Sequence, residues 1–143
     1  MSKKNIVFIV SLDEKQKPGR SNPYKYGIDS WKKWCKDKGY EVFVLTDRVY
    51  EEEYMSANWH KTYALTLLEN SKIDYNQVLI VDADIVVHPD CPDFFKETDG
   101  KFAAVMNDGD YEWVNRGIKK YGKLLFNDIT IKNDADADVL SIA

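Results

Sequence analysis

Two aspartates one residue apart, Asp82 and Asp84, stand in the apolar segment 78–87. Such a segment is typical of a strand that is buried on both faces of a parallel sheet. Because side chains alternate along a strand, we expect both carboxylates on one side, with Cα atoms about 6.5 Å apart. Two like charges this close require a cation, and oxygen ligands favour Mg²⁺ or Mn²⁺ shared with substrate phosphates. The pair therefore predicts a site for a metal ion and a diphosphate.

A lysine is placed to meet the phosphates of such a substrate. Lys61 lies in the first turn of a helix predicted over about residues 58–71. It shares a stripe of that helix with three apolar residues, Ala64, Leu65 and Leu68. A lysine on an inward stripe is uncommon unless it meets an anion, and a helix N-terminus beside the aspartates would bring it to a diphosphate. The alternative is a lysine whose aliphatic stem only covers apolar surface.

The elements that would position these side chains alternate along the chain. Strands are predicted over residues 5–10, 40–45, 78–87 and 102–106. A first helix is predicted from Tyr24 to its end at Gly39, and the second is the one that carries Lys61. This order predicts an α/β fold, with a Rossmann-like, mostly parallel sheet flanked by helices, in a single domain over residues 1–143.

The carboxyl ends of parallel strands form the edge where such sheets bind their ligands. The polar and loop residues expected there are Ser11, Leu12, Asp47, Asp82, Asp84 and Asn107. The first loop also carries Lys15, Lys17 and Arg20, which could reach phosphates but are more simply read as solvated charges.

The combination resembles the donor-binding half of GT-A glycosyltransferases of the glycogenin and bacterial galactosyltransferase type. Residues 60–68 open a helix with a basic residue, and residues 75–87 form an apolar strand that ends in Asp-x-Asp. The turn at Ser11 and the second strand, which ends at Asp47, also fall where that family binds the base and the ribose. The resemblance covers about residues 5–107.

The resemblance implies a metal-dependent glycosyltransferase that moves a sugar from a nucleotide-diphosphate sugar to a glycan, protein or lipid acceptor. A UDP-sugar is the first expectation and a GDP-sugar the second. Asp82 and Asp84 would be the catalytic residues and the ligands of Mn²⁺ or Mg²⁺, which stabilises the departing nucleoside diphosphate. Lys61 would steady the phosphates or the donor sugar. The other donor-binding residues that the resemblance implies are Val10, Ser11, Leu12, Asp47 and Ala83.

The region after about residue 107 departs from the family pattern. Phe126-Asn127 is similar to the start of the family's Phe-Asn-x-Gly segment, but the glycine is absent. No late histidine completes the metal site, since His60 and His88 lack metal-ligand spacing and are expected at the surface. We therefore expect an incomplete or atypical acceptor side. Asp108 or Asp110 would be the candidate base of an inverting reaction.

Two other functions fit the same residues. Haloacid-dehalogenase-type phosphohydrolases also have an apolar strand followed by Asp-x-Asp, with Asp82 then the nucleophile and Asp84 the acid and base. That motif normally lies on an early strand, whereas two predicted strands and two helices precede it here. The second alternative is a non-catalytic nucleotide-sugar binder or assembly partner.

Charge and composition exclude several classes of partner. The formal net charge of −4 provides no electrostatic footprint for nucleic acid. No apolar run reaches membrane-spanning length, so no transmembrane segment is expected. Cys35 and Cys91 suit no zinc spacing and are interpreted as reduced thiols. These observations predict a cytoplasmic protein, and they leave open whether it forms a homo-oligomer.

Overall fold

The computed structural model describes residues 3–105, 110–113, 115 and 116. The chain divides into two compact units, Met1–Phe102 and Ala103–Ala143. In the second unit, residues 111–113, 115 and 116 are helical. The strands and helices described below all belong to the first unit.

The first unit is built on a three-stranded parallel sheet in the order β2-β1-β3. The strands are β1 (Lys4–Val10), β2 (Glu41–Leu45) and β3 (Tyr75–Asp82). The central strand β1 is apolar on both faces, and its residues 6–9 are buried. In the register of the sheet, Val10 lies opposite both Leu45 and Asp82. The carboxyl ends of the three strands therefore lie level with one another. They form the common edge that the sequence predicted for a parallel sheet.

Helices cover both faces of this sheet. The α1 helix (Tyr24–Lys38) packs on the face of β1 that carries Val7 and Ile9, while α2 (Ala64–Asn70) packs on the opposite face. The short helix α3 (Phe94–Thr98), for which the sequence analysis made no prediction, packs beside α1 on the same face of the sheet. The principal buried side chains of the α1 face are Trp31, Trp34, Cys35, Val87 and Phe95, and those of the α2 face are Ile6, Phe8, Leu45 and Leu68.

The structure confirms the predicted bounds of α1. The end of this helix could be predicted because it depends on a single residue. Gly39 adopts a left-handed conformation with φ of 76°, and its N–H group bonds to the carbonyl oxygens of Cys35 and Lys36. A residue without a Cβ ends a helix in this conformation at little steric cost. Burial raises the pKa of the Cys35 thiol to about 12, so this cysteine is a core residue without nucleophilic character at neutral pH.

The segment predicted as one helix over about residues 58–71 has two parts. Residues Ala57–Tyr63 form a 3₁₀ helix, and only Ala64–Asn70 are α-helical. Lys61 therefore lies in the 3₁₀ turn and not in the first turn of an α-helix. The apolar stripe was read correctly for Ala64 and Leu68, which are buried, but Leu65 is exposed.

Two strand predictions were wrong. Strand β3 is not buried on both faces: it ends at Asp82 and is an edge strand of the described sheet, so that Ile80 is 43% exposed. The apolar composition of β3 predicted a central, buried strand, but the central strand of the described sheet is β1. Residues 102–105 form no strand, and Phe102 is almost fully exposed. The remainder of that predicted strand, with Asn107, lies outside the described residues.

No helix in the described part of the chain combines the length and the apolar character that crossing a membrane requires. The expected cytoplasmic location is not tested by this finding and stays a prediction.

Candidate functional site

A cleft opens where the carboxyl ends of β1 and β3 lie side by side. The chain connects β1 to β2 through α1 on one face, and β2 to β3 through the 3₁₀ helix and α2 on the other. This change of side leaves a crevice at the carboxyl ends of β1 and β3, which is where open α/β sheets bind ligands. The residues that line the cleft are Val10, Leu12, Arg20, Tyr24, Ala57, Asn58, Lys61, Val81, Asp82, Ala83 and Asp84.

The cleft is small for a complete nucleotide sugar. Its volume is about 190 Å³, whereas ligand sites commonly measure about 300–1,000 Å³. A diphosphate or a sugar ring fits this space, but a whole nucleotide sugar does not. Any nucleotide bound here must extend beyond the cleft.

Six of the predicted site residues line this cleft, and two do not. The six are Val10, Leu12, Lys61, Asp82, Ala83 and Asp84. Ser11 instead supports the strand ends, because its N–H group donates a hydrogen bond of 2.9 Å to the carbonyl oxygen of Leu45. Asp47 is exposed, and its carboxylate accepts a 3.1 Å hydrogen bond from the hydroxyl of Thr46. Both residues follow strands that end at the same edge of the sheet.

Lys61 contacts one of the two aspartates, Asp82, directly. Its Nζ atom donates a hydrogen bond of 2.9 Å to Oδ1 of Asp82, and the two side chains are 42% and 59% exposed. The anion that the lysine meets is thus a carboxylate of the chain itself, and its predicted contact with a diphosphate stays a prediction. An ion pair this exposed contributes only about 0–1 kcal/mol to folding, so stability alone does not account for it.

A buried histidine helps to hold the 3₁₀ helix that carries Lys61. His60 was expected at the surface, but it is fully buried. Its Nδ1 atom lies 3.1 Å from the carbonyl oxygen of Ser56, and its Nε2 atom lies 3.5 Å from the backbone nitrogen of Tyr50. A neutral ring with its proton on Nδ1 satisfies both groups, which is why this histidine is tolerated in the interior. Lys61 thus extends from a backbone that is fixed at the preceding residue.

Asp84 reaches the cleft from a turn and not from the strand. Asp82 is the last residue of β3, and the N–H group of Ile85 donates a 3.2 Å hydrogen bond back to its carbonyl oxygen. The alternation of side chains along a strand therefore does not apply to Asp84. The prediction that both carboxylates point to one side of a strand was wrong in its reason. The two aspartates nevertheless line one cleft, on either side of Ala83, which is buried.

The aspartate pair fits a divalent cation that takes further ligands from outside the protein. Among the described residues, no group of three or more His, Cys, Asp or Glu side chains could hold a metal ion by itself. Mg²⁺ usually binds through one or two carboxylates, with waters and substrate phosphates as its other ligands. Asp82 and Asp84 match that requirement in number and in ligand type.

The turn that carries Asp84 is fixed by three residues of α1 that the sequence analysis did not single out. A Cβ atom on Gly27 would lie 2.3 Å from the carbonyl oxygen of Ala83, so only glycine allows this approach. The indole Nε1 of Trp31 donates a 3.1 Å hydrogen bond to the carbonyl oxygen of Ile85. The hydroxyl of Ser30 accepts one of 3.1 Å from the N–H group of Val87. A glycine inside a helical pattern was the available signal.

Arg20 is a second cationic residue of the cleft. It was read as a solvated charge, but it lines the cleft together with Lys61. Its Nη1 atom donates a 2.6 Å hydrogen bond to Oε1 of Glu14, and this bond raises the pKa of Arg20 above its ordinary value. Tyr24 and Asn58, which the sequence analysis also did not assign to a site, add polar groups to the lining. Lys15 and Lys17 do not line this cleft.

Comparisons of the chain with protein-family models, with curated proteins and with solved structures found no match. A functional interpretation therefore depends on the motif residues and on the geometry of this cleft.

Proposed function

We propose that the chain is a metal-dependent glycosyltransferase of the GT-A type, which binds a nucleotide-diphosphate sugar and transfers its sugar. One observation carries the proposal: Asp82, Asp84 and Lys61 line the same cleft at the carboxyl ends of adjacent parallel strands. Two carboxylates and one ammonium group are the side chains that a metal diphosphate requires. A UDP-sugar is the first candidate donor and a GDP-sugar the second.

Each side chain then has a distinct role. Asp82 and Asp84 hold the cation, Mn²⁺ or Mg²⁺, and Lys61 binds an oxygen of the diphosphate. When bound, the cation supplies Lewis-acid stabilisation of the charge that develops on the leaving nucleoside diphosphate. The buried Ala83 and the hydrogen-bonded turn keep the two carboxylates at the cleft. Sugar transfer by this scheme needs no nucleophile from the protein.

Under this proposal, the parts of the donor occupy different places, in keeping with the small volume of the cleft. The diphosphate occupies the cleft, whose volume of about 190 Å³ is enough for a diphosphate or a sugar ring. The base and the ribose extend over the neighbouring strand ends, where Ser11 and Asp47 follow β1 and β2. This division would explain why Ser11 and Asp47, which were predicted to bind the donor, do not line the cleft. Val10 and Leu12 then contact the donor between the two regions.

A thermal-shift panel of nucleotide sugars, with and without Mn²⁺, tests the proposal. A donor that binds only the folded protein must raise its apparent stability. We expect the replacement Asp84→Asn to abolish the Mn²⁺-dependent part of the shift and to leave the melting temperature without ligand almost unchanged, because Asp84 is exposed. Asp37→Asn, an exposed aspartate of α1, is the matched control. An undiminished shift in Asp84→Asn would refute the metal assignment.

A phosphohydrolase is the second candidate, because Asp82 stands at a strand end beside Lys61, where a carboxylate nucleophile would also be placed. Beryllofluoride that labels Asp82 would favour this candidate. Metal-dependent hydrolysis of a nucleotide sugar would favour the transferase. Donor binding without any turnover would favour the non-catalytic binder.

A further inference from the structure

Lys61 occupies one of the two carboxylates that the proposed metal requires. Its Nζ atom lies 2.9 Å from Oδ1 of Asp82. Asp84, by contrast, makes no hydrogen bond or ion pair with any residue that the structure describes. The two aspartates of the motif are therefore not equivalent: one carboxylate is open to a cation, and the other is already neutralised.

A divalent cation and Lys61 would compete for the negative charge of the same carboxylate, that of Asp82. Two positive charges within a few ångströms of each other repel, and each would take the place of the other at Asp82. Lys61 is able to leave, because its side chain is 42% exposed and ends a flexible four-carbon stem. A phosphate that arrives with the cation offers the displaced ammonium group a new anionic partner in the same cleft.

We propose that Lys61 exchanges partners during binding, an inference that rests on the proposed function. Lys61 neutralises Asp82 in the metal-free cleft, yields this carboxylate to the cation and then binds the diphosphate. The lysine thus opposes the binding of a metal ion alone and favours the binding of the metal together with a diphosphate. Removal of its charge should consequently change the two affinities in opposite directions.

The test uses the full chain and two titrations of Lys61→Met, first with Mn²⁺ alone and then with UDP at saturating Mn²⁺. We expect the Kd for Mn²⁺ alone to fall by about twofold to fivefold, since an exposed ion pair no longer has to be broken. We expect the Kd for UDP to rise by about tenfold or more, since a charge-assisted hydrogen bond is lost. Isothermal titration calorimetry measures both values without any enzymatic turnover.

Three further variants make the result specific. Lys33→Met removes a lysine that is also ion-paired, at 3.4 Å from Asp37, on the exposed surface of α1, and it should leave both affinities unchanged. In an Asp82→Asn background, Lys61→Met should no longer tighten Mn²⁺ binding, because the contested carboxylate is gone. If Lys61→Met does not fold, as judged by circular dichroism, Lys61→Gln provides the same loss of charge with a polar side chain.

The outcomes separate this inference from the proposed function. If the parent protein binds Mn²⁺ and UDP but Lys61→Met binds Mn²⁺ no more tightly, the exchange is refuted and the proposed function stands. If both affinities fall together, Lys61 only supports the structure of the site, and the exchange is again refuted. If the parent protein binds neither Mn²⁺ nor UDP, the proposed function fails and the exchange fails with it.

Discussion

At the scale of single residues, the charges of the cleft explain why anion binding should depend on a metal ion. Its lining contains two cationic side chains, Arg20 and Lys61, and two anionic ones, Asp82 and Asp84. Glu14, which is hydrogen-bonded to Arg20, adds further negative charge nearby. The cleft without a metal therefore has no excess of positive charge with which to attract a diphosphate. A divalent cation would supply that excess.

Arg20 is predicted to contribute to diphosphate binding at this residue scale. We expect Arg20→Met to raise the Kd for UDP in the presence of Mn²⁺ by about tenfold, because the guanidinium group can make charge-assisted hydrogen bonds to phosphate. Isothermal titration calorimetry is the measurement. Lys17→Met, an exposed lysine of the same loop, is the control and should have no effect. Equal effects of the two substitutions would mean that only overall charge matters.

At the scale of elements, α1 serves as the platform for the turn that carries Asp84. Its residues Gly27, Ser30 and Trp31 follow one another at helical spacing and contact the segment after β3. These contacts link positions more than fifty residues apart in the chain. The helix thus fixes the backbone around Asp84, although it supplies neither aspartate. Close packing of the helix on the turn is the structural basis of the site.

Gly27→Ala tests this platform. Replacement of glycine by alanine inside a helix ordinarily stabilises it by up to about 1 kcal/mol. Here we expect the opposite sign, a loss of about 1–3 kcal/mol of unfolding free energy, because the new Cβ would lie 2.3 Å from the carbonyl oxygen of Ala83. Urea denaturation measures the change. Lys32→Ala, at an exposed position of the same helix, should change it by less than about 0.5 kcal/mol.

At the scale of the whole molecule, the first unit contains everything that the proposed donor site needs. Among the residues that the structure describes, both clusters of buried apolar residues and all those that line the cleft lie within Met1–Phe102. The second unit, Ala103–Ala143, includes the region where the sequence departs from the GT-A pattern. Donor binding and acceptor binding would thus belong to different parts of the chain.

A fragment of residues 1–102 is therefore predicted to fold and to bind the metal ion. A chain of this length can bury a core of its own, and both apolar clusters are retained. We expect cooperative thermal unfolding, and a Kd for Mn²⁺ within about threefold of the value for the full chain. Calorimetry measures both quantities. A fragment that folds but does not bind Mn²⁺ would show that residues after 102 contribute to the metal site.

The sequence by itself was sufficient for features that depend on neighbouring residues. The apolar pattern of β1, the helical spacing of α1 and the glycine that ends it are local signals, and each was read correctly. The placement of Lys61 beside the aspartates also followed, because parallel strands end at a common edge and the helical connection to the next strand begins near that edge. The α/β class with a parallel sheet was therefore predictable.

Only the tertiary structure decided which of the predicted elements became central and which residues turned toward the cleft. An apolar strand reads the same at the centre of a sheet or at its edge, so the edge position of β3 among the described strands depended on the pairing of β1 with both neighbours. The approach of Gly27 to Ala83 and the exposure of Arg20 to the cleft arise between segments distant in sequence. Such contacts are set by three-dimensional packing, and no local periodicity encodes them.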